Sequence, residues 1–149
     1  MKKFNYVNLF LSLSVIMFFA SCGDKYYTDD FLRNSDEKLC GYTWMEKITY
    51  VNENDELELM VHTLFFNKGS KGSGTGKEGK ERYRAISGGR WESIPYKTET
   101  FAFNWKWIEN YEGLSLDDGK EITLFENVWV REFYLSGKYQ DEICTFYRD

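Results

Sequence analysis

Alternation with a period of two is the feature that most constrains this chain. Phe101, Phe103, Trp105 and Trp107 are interleaved with Thr100, Ala102, Asn104 and Lys106. Side chains of an extended backbone point alternately to opposite faces, so this segment reads as a strand with one buried face. From Tyr42, the positions Tyr42, Trp44, Ile48 and Tyr50 share a face that only Glu46 interrupts. From Leu57, the odd positions Leu57, Leu59, Val61 and Phe65 form the expected buried face. Ile122, Leu124, Val128 and Val130 repeat the pattern, as do Phe133 with Leu135 and Cys144 with Phe146. Helical stripes of i, i+3, i+4 spacing are missing throughout. The 12 Phe, 11 Tyr and 5 Trp suit pleated, half-buried surfaces.

Turn residues separate these runs. Asn52 to Glu56 joins the first two, Asp117-Asp118-Gly119 marks a tight hairpin, and Ser136-Gly137-Lys138 marks another. About eight strands are predicted, near 42–51, 57–66, 82–87, 97–107, 113–117, 121–126, 129–135 and 140–147. Short antiparallel strands in this number fit an all-β, up-and-down barrel, which leaves no open edges; a β-sandwich is the alternative. Lys68 to Lys80 holds glycines at 69, 72, 74, 76 and 79, and reads as a mobile loop between strands two and three.

The N-terminus points to export. Lys2 and Lys3 precede an apolar run from Leu9 to Ala20, too short to span a membrane. Phe19-Ala20-Ser21-Cys22-Gly23 follows, small residues and then a thiol suited to diacylglyceryl transfer. The segment resembles the lipobox of bacterial lipoproteins, with Phe19 in the place of the usual leucine. That resemblance implies a leader over 1–21 and an acylated Cys22; the polar stretch that follows reads as a tether over 22–38, and the remaining length suits one domain over 39–149. The resemblance also implies anchorage in the cell envelope, with the outer membrane expected and the periplasmic and surface faces both open. Removing Lys2 and Lys3 with the leader takes the net charge from −5 to −7, which argues against nucleic acid as a partner.

No catalytic constellation emerges. Gly74-x-Gly76-x-x-Gly79 and Gly74 to Lys80 imitate phosphate-binding loops, but such loops need a helix directly behind them, and Glu81-Arg82-Tyr83-Arg84 leads into a strand. Lys68, Lys71, Lys77, Lys80, Arg82 and Arg84 outnumber Glu78 and Glu81. A basic loop of this kind could meet anionic lipid or glycan, although a solvated loop is the plainer reading. His62, the single histidine, lies opposite the Leu57–Phe65 face without a metal-binding companion. Neither a metal nor another cofactor is expected, and the protein reads as a non-enzyme.

Several segments resemble the short lipocalin-like domains of Gram-negative lipoproteins. They are Trp44, Phe66-Asn67-Lys68-Gly69, Phe103-Asn104-Trp105 and Leu114-Ser115-Leu116-Asp117-Asp118-Gly119, within residues 40–148. Gly41-Tyr42-Thr43-Trp44 is one residue longer than the lipocalin Gly-x-Trp, and the lipocalin helix after the barrel has no room before Asp149. The resemblance implies a calyx-like barrel and no enzymatic activity. The leading expectation is a membrane-anchored binding module for a small apolar ligand or a loop-bound partner. Trp44, Phe101, Phe103, Trp105 and Trp107 are the candidate ligand residues. A structural or interaction lipoprotein with a filled core is the alternative, and an interior void of about 300 Å³ or more separates the two.

The two remaining cysteines set a register test. In an oxidising compartment Cys40 and Cys144 are expected to form a disulfide between the first and last strands. Opposite residues of an antiparallel pair have a constant sum, and this pairing requires 184. The lipocalin resemblance implies instead that Arg148 packs over Trp44, which requires 192. A shift of eight residues is about 26 Å along a strand, so one register cannot place both pairs directly opposite.

Overall fold

The computed structural model describes residues 33–149. The expected leader, Cys22 and most of the expected tether lie outside the described residues. Nine strands follow a short helix α1, Asp36–Leu39. They are β1 Thr43–Val51, β2 Leu57–Lys68, β3 Ser73–Ile86, β4 Arg90–Trp91, β5 Lys97–Ile108, β6 Gly113–Asp117, β7 Ile122–Val130, β8 Tyr134–Tyr139 and β9 Glu142–Arg148. Every pairing is antiparallel, in the order β2-β1-β9-β8-β7-β6-β5-β3-β4. A further pairing of β2 with β3 closes the sheet on itself. The result is an eight-stranded all-β barrel with β4 as an extra two-residue strand, as the alternation predicts; closure removes the sandwich alternative.

The corrections to the sequence reading have physical causes. The glycine-rich stretch is strand β3 rather than a loop. Gly74 faces Trp105 and Gly76 faces Phe103 in the ladder with β5. A Cβ on Gly76 would strike the Phe103 ring and the Phe65 carbonyl, and one on Gly74 would meet Trp105 Nε1 at 2.9 Å. These glycines let large rings lie flat on the backbone, a cross-strand arrangement that only a hydrogen side chain permits. Gly137 behaves similarly. It lies inside β8 against the Phe125 ring, and the hairpin turn comes later, at Gln140 and Asp141.

The face of β2 is the reverse of expectation. Glu58, His62, Leu64 and Phe66 are buried inside the barrel, while Leu57, Leu59, Val61 and Phe65 line its outer wall. On β7, Ile122 and Leu124 are exposed but Val128 and Val130 are buried, although all four have even numbers. A bulge between Glu126 and Trp129, with Asn127 at φ 50°, turns the strand over. One extra residue reverses every side chain beyond it.

The expected disulfide is absent: Cys40 and Cys144 are free. The β1–β9 register pairs Trp44 with Arg148 and Met45 with Tyr147, a sum of 192. Extended along the ladder, it sets Cys144 level with residue 48, while Cys40 lies before β1 at the end of α1. Arg148 lies opposite Trp44 in the backbone, but its guanidinium stacks 3.2 Å above the centre of the Tyr42 ring.

Residues 34–38, expected in the tether, belong to the barrel body, which begins at Asn34. Ser35 caps α1 by accepting from Lys38 N at 3.3 Å. Leu39 is fully buried, and its carbonyl accepts from Trp44 Nε1 at 2.9 Å. Asp36 accepts from Gly72 N at 2.9 Å and from Trp107 Nε1 at 2.8 Å. Asn34 donates to Tyr111 O and Val128 O, both at 2.7 Å, and accepts from Val130 N at 2.9 Å. Together these residues form a floor across one end of the barrel. The polar side chains of this floor, the buried Asn34 and Asp36 and the half-buried Trp107, all find partners, as burial away from water requires.

Candidate functional site at the open end of the barrel

Above the floor the interior is solid. Phe66 meets Phe103 and Trp105 edge-on at 5.6 and 6.0 Å between ring centres, and Phe125 contacts Tyr139 and Phe146. Trp44, Leu64, Leu114, Val130 and Leu135 fill the space between them with no exposed surface. Burying side chains of this size contributes about 1.5–3 kcal/mol each. Trp105 Nε1 is satisfied by Asn67 O at 3.0 Å.

The five expected ligand residues therefore divide. Trp44, Phe103 and Trp105 are buried core. Trp107 is half-buried beside the floor and held by Asp36. Phe101 alone is open, at 42 % exposure. It lines a pocket of about 120 Å³ together with Phe103, Glu78, Lys80, Leu116 and Tyr139. The size lies well below the roughly 300 Å³ that a typical small-ligand site requires. A larger depression, about 420 Å³, lies along Ile122, Leu124 and Glu126 and borders the first at Glu121, Thr123 and Gln140.

The upper lining is ionisable. His62 Nε2 lies 2.7 Å from Glu78 Oε1, and Lys80 Nζ lies 3.2 Å from the same oxygen. Burial pushes the Glu78 carboxyl up, but the hydrogen bond with His62 and the charge of Lys80 outweigh it and hold the carboxyl below its ordinary value. Tyr139 is held firmly protonated, first by burial and then by Glu78. Glu46, facing inward on β1, is raised by burial. Nearer the rim, Glu58 accepts from Tyr50 Oη at 2.5 Å and from Asn52 Nδ2 at 2.7 Å. Hydrogen bonds from Tyr50, Tyr96 and Asn52 hold its carboxyl down to about 2. The basic residues assigned to one loop are thus dispersed: Lys80 serves Glu78 within the barrel, and Lys68 pairs with Glu37 at 2.6 Å by the floor.

This arrangement binds its own charges to one another. Glu78 and Glu58 already have their hydrogen-bond partners, so neither is a free base. Burial lifts the Cys40 thiol to about 11 and the Cys144 thiol to about 12, which keeps both protonated and poorly nucleophilic at neutral pH. Among the described residues no three His, Cys, Asp or Glu side chains converge as a metal site would require. The inward position of His62 escaped the sequence because the Leu57–Phe65 stripe supplied a competing apolar face. The complementary signal was the pairing of glycines on β3 with aromatics on β5. No protein-family model, curated protein or solved structure matches the chain.

Proposed function

We propose that this chain is a lipid-anchored lipoprotein of the cell envelope whose lipocalin-like barrel is a filled, non-enzymatic interaction module. One observation carries the reading: the interior is packed from the floor to Phe103, leaving a pocket of only about 120 Å³. An acyl chain or another extended apolar guest would have to displace Phe103, Trp105 or Phe66. The lipobox-like Phe19-Ala20-Ser21-Cys22 supports the anchor, with the outer membrane as its destination. The contact chemistry then belongs to surfaces outside the core, and the open end offers a polar rim rather than an apolar calyx.

Titration with a dansylated fatty acid tests the filled barrel. The expected result is no saturable rise in emission at micromolar probe. A stoichiometric complex lost on Phe103→Trp would establish a hidden cavity and overturn the reading. Intact-mass spectrometry of the membrane-extracted protein tests the anchor, with the expected species beginning at Cys22 and carrying acyl mass.

A further inference from the structure

The floor end of the barrel has an outer surface unlike the rest of the wall. Trp129, Phe133, Tyr134 and Tyr147 are 53, 67, 37 and 63 % exposed. The exposed Trp and two of the three exposed Tyr among the described residues are in this group; the open end presents mainly aliphatic Val, Leu and Ile. The four residues form one patch. Tyr134 and Tyr147 are direct partners in the β8–β9 ladder, Trp129 pairs with Ser136 one step along the same face, and Phe133 O accepts from Arg148 N at 2.9 Å. Two cations edge it: Arg131 lies 4.8 Å above the Trp129 ring, and the Arg148 side chain donates to Glu132 O at 3.2 Å.

The chain enters the barrel beside this patch. Asn34 is bonded to Val128 O and Val130 N, the backbone neighbours on either side of Trp129. Arg33 lies eleven positions after Cys22. Fully extended, eleven steps of chain reach no more than about 40 Å. A lipid on Cys22 would therefore keep the patch within that distance of the bilayer. Trp and Tyr with adjacent Arg are the side chains that settle at the boundary between headgroups and acyl chains, where a ring can be half apolar and half wet.

We propose that Trp129, Phe133, Tyr134 and Tyr147 form a membrane-interface belt that seats the floor of the barrel on the lipid surface to which Cys22 is anchored. The proposal rests on the anchor reading. Glu132 and Asp149, both exposed, directly follow Arg131 and Arg148 in the chain, so the surface is not a cationic patch, and ring insertion rather than attraction to anionic lipid supplies the contact. With the floor on the membrane, the open end points away from it and is free for a partner.

The test uses the membrane-extracted protein in vesicles of phosphatidylethanolamine and phosphatidylglycerol, with bromine on part of the acyl chains near the headgroup. Brominated lipid is expected to quench part of the tryptophan emission, that part should disappear in Trp129→Phe, and a tenfold rise in salt should leave it unchanged. A Phe133→Ser/Tyr147→Ser variant should keep its fold and show at least a twofold weaker quench. Absence of quenching, or equal quenching in Trp129→Phe, overturns the belt. So does protection of Trp129 in a cross-linked dimer or complex without lipid quenching. Acyl mass on the same sample separates the two ideas: an acylated protein without quenching loses the belt alone. If the protein lacks acyl mass, the anchor reading fails. The belt, which rests on that reading, then falls with it.

Discussion

The two halves of the barrel use the same strands for different chemistry. On β1 the inward side chain changes from Trp44 to Glu46, on β2 from Leu64 to His62, and on β3 from Gly76 to Glu78. Below this boundary, rings and aliphatic side chains exclude water and α1 seals the end. Above it, carboxylates, phenols and cations pair with one another around a small pocket. The lower half resists water by packing, and the upper half tolerates water because its charges are paired and near the rim. An apolar ligand would suit the chemistry of the half that has no room for it. The half with an opening offers a lining suited to polar contact.

The largest effect should come from the lower half. Trp105→Ala is expected to lower unfolding free energy by about 3–5 kcal/mol through lost burial and a residual cavity. Phe101→Ala, on the same face of β5 but half exposed, should cost less than about 1 kcal/mol. Denaturant titration of both variants decides; similar losses would mean that the two halves are packed alike. Next is Asp36→Ala, which strands the Trp107 indole N–H and the Gly72 amide. It should cost about 2–3 kcal/mol, whereas a position in a loose tether would change stability by less than about 0.5 kcal/mol.

The upper half should respond to acid. Glu58 has a folded value near 2 against an ordinary 4.5, so it adds stability above about pH 4.5 that is lost as pH falls toward 2. Glu58→Gln should remove that dependence. Native and variant denaturation midpoints should therefore converge on acidification through this window; a constant gap would rule out ionisation of Glu58 as the cause. Smallest are the thiol effects. Cys144→Ala is expected to cost about 1 kcal/mol, below the 2–5 kcal/mol typical of losing a native disulfide. In denatured protein without reductant, Cys40 and Cys144 should both react with Ellman's reagent, and in a bridged protein neither would.

Much of the barrel could be read from local pattern. The β1 and β5 faces, the Asp118-Gly119 turn and the scarcity of helix follow from alternation and turn chemistry that neighbouring residues impose on one another. Reading failed where a distant strand decided the meaning of a residue. Gly74 and Gly76 look like loop residues until Trp105 and Phe103 are placed across from them. Leu59 and Val61 look buried until closure of the barrel turns His62 inward and gives it Glu78 as partner. Of the five aromatics expected to hold a ligand, local sequence could identify their strand faces but not whether the barrel left any space between them.

The chain by itself determined that its segments are strands, that they follow one another through short turns, and that most carry one apolar face. Those properties depend on backbone sterics and side-chain period within a few residues. Only the tertiary structure decided the β1–β9 register, and with it the separation of Cys40 from Cys144. It also decided which face of β2 is interior, where the β7 bulge reverses the wall, and that Asn34 to Leu39 close the floor. Each depends on contacts between residues far apart in sequence, where packing the aromatic rings and satisfying buried polar groups outweigh local preference.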